Sequence, residues 1–401
     1  MNRRTSTPAF SQAPTSLLGQ LFVPPTRHNG YMFPQALRRA VTVTSTTAVA
    51  FSVCTCLGAS GTFAAGLGPP ALRSPWDLHR VALTDAKYSC PQIAPLPHDI
   101  VAADYYSDPK HSIIDPARYA AYQAASKQYA EVEDAAVRAA DEFQASGSRQ
   151  AAACAAQIVV QQAQADAMTG SMSSNQADYV QNWAIGAFAV VWLKVRPAGQ
   201  AVLGVTPDQN AAVAAWMNKA GQQVEDYFQQ LHEKGASSGR NNHFYWAGFA
   251  VMAAGIAADD RPFYDWGIGT YKYGVEQITR DGTLPLEMAR GQRALHYHLF
   301  AIAPLVTIAE LASANGEDLY TYSNASIHLL VARSLAGLTD SSFFAEKSGA
   351  PQDTPKDGAV SGSDISWLSP YARRFPNPAI TDLLAKFPIK PERYLGGMPP
   401  P

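Results

Sequence analysis

Charge is what this 401-residue chain has least of. Asp, Glu, Lys and Arg make up 16% of it, against roughly a quarter in ordinary globular domains. It also lacks a basic excess: the formal net charge is -2, which excludes a general nucleic-acid binder, because no face is basic enough to displace many counterions. Four cysteines in 401 residues exclude a disulfide-built miniprotein. No nucleophile elbow, P-loop, dinucleotide fingerprint or zinc-protease helix occurs, so covalent and cofactor chemistry lose ground and no cofactor is expected. What is there instead is 47% hydrophobic sequence, enough for a large core and incompatible with disorder. Alanine-rich blocks at 117–140 and 247–258 take the place of the missing charge with strong helix formers.

Residues 1–65 hold five arginines, no lysine and no acidic residue. Arg38 and Arg39 precede an apolar stretch at 41–65 that ends on Ala64 and Ala65, the order of a secretory signal. Met32 is a candidate true start. Outside this stretch no run reaches the ~20 apolar residues of a membrane span, so no membrane association is expected once the signal is removed. Losing five of 31 basic and none of 33 acidic residues leaves the mature chain near -7, so any anion site must be focused rather than global. Cys54 and Cys56 leave with the signal. The even pair that remains, Cys90 and Cys154, predicts one disulfide in an exported protein. Closing about 64 residues is worth roughly 4 kcal/mol in the chain-entropy model.

From about residue 116 apolar residues recur every three or four positions, with none of the alternation of a strand. The class is all-α, with helices expected at 119–143, 149–168, 178–195, 208–233, 244–257, 262–278, 293–314, 319–334 and 378–386. Gly, Pro, Asn and Asp mark the breaks. Repeated helix hairpins suggest an α/α toroid or a solenoid, and the absence of a sequence repeat disfavours the solenoid. Residues 66–401 are expected to form one domain and a monomer, with 348–362 as a loop or lid and 387–401 as an extended tail.

Two clusters carry chemistry. At 240–246, Asn241, Asn242, His243, Tyr245 and Trp246 gather at a helix N-terminus, where free N–H groups and the dipole favour an anion. A structural N-cap explains the same residues equally. At 287–298, Arg290 or Arg293 and Tyr297 share one face if the segment is helical. His296 and His298 are two apart and point away from each other, so no metal site is expected.

In these clusters the sequence reads N-N-H-F-Y-W-A at 241–247, then L-P-L-E at 284–287 and Q-R-A-L-H-Y-H at 292–298. This resembles the mannuronate-specific alginate lyases, a polysaccharide lyase family of the bacterial periplasm, which read N-N-H-S-Y-W-A, L-P-N-E and R-Q-R-A-L-A-Y-H. The resemblance implies an incomplete α/α toroid with a deep cleft and an anionic polysaccharide partner, alginate or a related polyuronate. The reaction it implies is cleavage of the 1,4-linkage by β-elimination. Asn242, His243 and Arg290 would neutralise the substrate carboxylate, and Tyr297 would act as acid, with Tyr297 or His243 as base. Substrate contacts would come from Ser107, Lys110, Asn175, Gln176, Trp246 and Arg293. Asn175-Gln176 replaces a His-Thr pair, Phe244 a serine and Ser369 an acidic residue, so a shifted sugar preference is expected, towards glucuronan or hyaluronan. A binding subunit without activity is the remaining alternative.

Overall fold

A computed structural model describes residues 71–355 and 360–401. The signal-like segment 1–65 and residues 356–359 of the expected lid lie outside the described residues. Among those described, the principal helices are α1 Pro116–Ser146, α2 Arg149–Gln164, α3 Asn175–Val195, α4 Pro207–Glu233, α5 Asn242–Ala258, α6 Arg261–Glu276, α7 Ala294–Ser313, α8 Ile327–Thr339, α9 Ser342–Ser348, α10 Leu368–Arg374 and α11 Pro378–Lys386. No strand longer than an isolated bridge occurs among the described residues. The architecture is an α/α toroid of helix hairpins.

Caps decide where the helices begin, and they move several expected boundaries. Asp115 accepts hydrogen bonds from Ala117 N and Arg118 N, and Pro116 occupies the first turn, so α1 starts three residues early. Ser174 caps α3, which draws Asn175 and Gln176 into its first turn. The helix expected at 149–168 stops at Gln164, since Asp166 and Met168 adopt positive φ. The one expected at 319–334 divides because Ser323, Asn324 and Ala325 are left-handed. The segment at 290–293 is not α-helical: a 3-10 turn, Gly291–Arg293, leads into α7. Arg290 and Tyr297 therefore meet by a different route from a shared helix face.

Helix α5 is the hub. It is buried almost from end to end and packs against α3, α4, α6 and α7, which is why its sequence is apolar all round rather than amphipathic. Close approach of α6 requires Gly248, where a Cβ would lie 1.6 Å from Thr270 Oγ1. Helix α7 and its leading turn, Gly291–Ser313, are long and apolar enough to cross a membrane, yet 83% of the most apolar window is buried inside the protein. It is a core helix. The Cys90–Cys154 disulfide ties the N-terminal segment to α2, with Cα atoms 5.5 Å apart.

The C-terminal segment is docked rather than loosely extended. Lys194, at the end of α3 and 1% exposed, donates to Asp141 Oδ1 (2.5 Å) and to Gly396 O (2.6 Å). Asp141 also accepts from Met398 N at 3.0 Å. Gly397 lies against that carboxylate at φ +102°, where a side chain has neither room nor a favourable backbone.

His298 is fully buried in α7, with both ring nitrogens committed to the neutral form. Nδ1 donates to Ala294 O (2.7 Å) and Nε2 accepts from Leu284 N (2.9 Å). Burial lowers its pKa to about 4, so between pH 4 and 6.5 the unfolded chain binds a proton that the native state refuses. Its contribution is complete above that window and is lost as pH falls through it, at about 1.4 kcal/mol per pH unit. Thermal unfolding followed from pH 7 to 4.5 should show a falling Tm, and His298→Asn should make the fall shallower.

Candidate active site

The site forms where the first turns of α3, α5 and α7 meet a loop from the N-terminal segment and the docked C-terminal segment. These enclose a cavity of about 410 Å³. Asn175, Gln176, His243, Arg290, Arg293 and Tyr297 all line it. The first turns of three helices border it, and their dipoles together with the Arg290 and Arg293 guanidiniums favour bound negative charge.

Tyr297 is 6% exposed, and its hydroxyl shares a hydrogen bond with that of Tyr106, to which Arg293 Nη1 donates at 2.9 Å. The Arg290 guanidinium lies over the Tyr297 ring, Cζ 3.4 Å from its centroid, and Nη2 is held by His111 O at 2.8 Å. Burial raises the phenol's pKa, and Arg290 opposes it only in part. The free enzyme therefore holds a protonated phenol, with two cations placed to stabilise the phenolate when it forms.

His243 stacks on Tyr179, ring centroids 3.9 Å apart. Its Nδ1 has no protein partner. Burial, then Arg290 and His111, lower its pKa to about 3, so the imidazole is neutral at ordinary pH and has a nitrogen free to take a proton.

Asn242 lies behind this wall rather than in it. Its backbone N donates to Glu287 Oε1 at 2.7 Å, and Nδ2 reaches both carboxylate oxygens at 3.0 Å. Both residues are fully buried. Its amide donors are spent on Glu287, and what they accomplish is to fix the start of α5 and with it His243. Trp246 is also behind the wall, buried with Nε1 donating to Phe300 O, so it is core and not a sugar platform. Tyr245 is buried likewise.

The loop after Tyr106 gives a similar correction. Asp108 accepts from Lys110 N, Ser112 N, Ser112 Oγ and Ile113 N, which winds 107–113 tightly. Ser107 spends its hydroxyl on Ile113 O and Lys110 points to solvent; neither lines the cavity. Tyr106 and His111 from the same loop do, with rings stacked 5.4 Å apart. The Tyr105-Tyr106 doublet in an otherwise polar stretch was the available signal. Phe244 packs among His232, Trp266 and Tyr273, away from the cavity. Ser369 accepts from Arg373 and is not part of the lining. Of the substitutions named for sugar preference, Asn175 and Gln176 face the space where a ligand would lie and Phe244 and Ser369 do not. His296, set aside as half of an unlikely metal pair, lines the cavity while His298 faces the core.

A phenol braced by two guanidiniums, beside a neutral imidazole in an anion-favouring cleft, is equipped to move a proton on an anionic ligand. Comparison with known proteins decides the family. Residues 99–344 match the model of the alginate lyase family. The chain belongs to the alginate lyase family. A polysaccharide lyase of Stenotrophomonas maltophilia is 34% identical over 321 residues, covering 79% of this chain and 91% of that protein. An alginate lyase of Pseudomonas syringae pv. syringae is 30% identical over 317 residues, covering 78% and 82%. Among solved structures, alginate lyase A1-III from Sphingomonas species A1 superposes with a TM-score of 0.67 at 24% identity, covering 84% and 97%. A variant of A1-III complexed with a tetrasaccharide gives 0.69. This family member is thus an alginate-type polysaccharide lyase with the α/α toroid fold.

Proposed function

We propose that the enzyme cleaves the 1,4-linkage of mannuronate-rich alginate by β-elimination, as an exported, monomeric, periplasmic protein. The carrying observation is the convergence of Tyr297, Arg290 and His243 on one cavity. In the reaction the C5–H bond breaks and its proton passes to a base. The electron pair forms the C4–C5 double bond, the C4–O4 bond breaks, and O4 takes a proton from the acid. The C5 proton of a uronate is too weakly acidic unless the adjacent carboxylate is neutralised, a task for the cationic wall of Arg290 and Arg293. Tyr297, kept protonated by burial, supplies the proton for O4. The base is His243 or, where H5 and O4 share a face of the ring, Tyr297 itself.

The pH profile of kcat/KM separates these two. A His243 base, already deprotonated above pH 3 to 4, gives a flat profile through neutrality. A Tyr297 base gives a rate that climbs with pH as phenolate accumulates. A second reading, a lyase for glucuronan or hyaluronan, is favoured by Asn175 and Gln176 in the lining. Purified protein incubated with poly-mannuronate, poly-guluronate, glucuronan and hyaluronan should raise absorbance near ~235 nm, the signature of the unsaturated product, fastest on poly-mannuronate. No rise on any of the four would refute the lyase reading. A faster rise on glucuronan or hyaluronan would select the second.

A further inference from the structure

Three acids that the elimination does not use line the cavity; Asp104 accepts from Tyr106 N within its own loop, which leaves two. Asp364 and Glu392 line it, and the Asp364 charge is felt at Glu392. Among the described residues no donor reaches the Asp364 carboxylate, and Glu392 accepts only from Tyr394 N, at 3.2 Å through Oε1. Carboxylates facing a polyanion need a reason to be there: Arg293 offsets Asp364 and Arg393 offsets Glu392 only in part, so they repel the substrate, and their own burial is costly. Burial raises them to about 6 and about 7.

Two unpaired donors face the same space. Trp183 and Gln176 are each 6% exposed and line the cavity, and neither Trp183 Nε1 nor Gln176 Nε2 has a partner. Trp183 stacks on Tyr394, ring centroids 4.8 Å apart, two residues beyond Glu392. A pair of acceptors, a pair of donors and an aromatic floor suit a sugar's hydroxyls, which both donate and accept.

Polymer geometry explains why such a set adjoins a cationic wall. Successive rings of a β-1,4-linked chain are turned by about half a revolution. An edge that presents a carboxylate on one unit presents the C2 and C3 hydroxyls on the next. We propose that Asp364 and Glu392 are specificity-determining residues that accept hydrogen bonds from the 2,3-diol of the sugar next to the one undergoing elimination. This inference rests on the polyuronate reading above and deepens it: the enzyme selects chains whose C2 and C3 hydroxyls are free, and an ester there removes the donor while leaving both acids unsatisfied.

The test compares poly-mannuronate with and without 2,3-O-acetylation, on wild type, Asp364→Asn, Glu392→Gln and the double variant. Both substitutions are near-isosteric, and Glu392→Gln keeps an acceptor for Tyr394 N. We expect each single variant to raise KM for the unesterified polymer about tenfold with kcat within twofold. The wild-type preference for unesterified over acetylated chain should shrink about tenfold in the double variant. Unchanged or lowered KM, or an unchanged preference, overturns the proposal. Calorimetric binding of plain and acetylated mannuronate tetrasaccharides to Tyr297→Phe protein needs no turnover and no acid substitution. Equal affinities, or no binding of either, overturn it as well. Wild type that turns over glucuronan but not poly-mannuronate instead refutes the substrate reading, and the acid pair is then read from KM on glucuronan with the same variants.

Discussion

Tyr297→Phe should lower kcat by 10³-fold or more while leaving the thermal unfolding midpoint within about 2 °C of wild type. Removing a positioned proton donor typically costs 10²- to 10⁴-fold, and here the group lost is the proposed acid for O4. Its ring remains to hold the stacked Arg290 guanidinium, so the cavity keeps its shape. KM should change little, because the phenolic hydroxyl acts mainly as charge develops. His243→Ala and Arg290→Ala should each cost about 10²- to 10³-fold. Rates from the ~235 nm assay with saturating polymer supply the check. Near-native turnover in any two of the three would remove the assignment of these groups to chemistry.

The second large effect is on stability. Asp141→Ala should destabilise the fold by about 3–5 kcal/mol, because it leaves the Lys194 ammonium in a dry interior with only Gly396 O as partner. For a domain of this size that corresponds to a loss of roughly 5 °C in Tm. Replacing both partners, as in Asp141→Leu with Lys194→Met, should recover much of the loss, since an apolar pair of similar volume avoids burying charge. Activity follows the same clasp. Met398 N and Gly397 lean on the Asp141 carboxylate, and the segment they fasten carries Glu392 and Tyr394 into the cavity. Differential scanning calorimetry of the single and double variants, with KM measured alongside, tests both statements.

The all-α class was legible because periodicity and breakers are local signals. Helix α11 at 378–386 emerged with its observed bounds for that reason. What escaped was set by side-chain caps and left-handed residues. Ser174 moves the start of α3 so that Asn175 and Gln176 become first-turn residues, and Ser323 to Ala325 split a helix that composition alone would run through. The candidate groups at 243, 290 and 297, which line one cavity, were legible because two short motifs carry them. Their mutual arrangement was not: Arg290 reaches Tyr297 by stacking on its ring from a 3-10 turn, not along a helix face. Tyr106, His111, Asp364, Glu392 and Tyr394 line the cavity from segments with no periodic pattern, and only tertiary contacts such as the Asp108 turn and the Lys194 clasp bring them there. Trp246 shows the opposite error. An aromatic three residues from the histidine invites a role in sugar binding, but on an all-round buried helix its ring belongs to the core.

The cavity wall draws on residues from 104 to 394, so its last pieces are translated well after the helices that carry His243 and Tyr297. A nascent chain still held by the ribosome has the helical scaffold and its histidine but not Glu392 or Tyr394, and it cannot hold polymer. A stop codon after Ile389 would yield a protein that retains its principal helices yet cuts poorly, because it lacks Glu392, Tyr394 and the Gly396 carbonyl that holds Lys194.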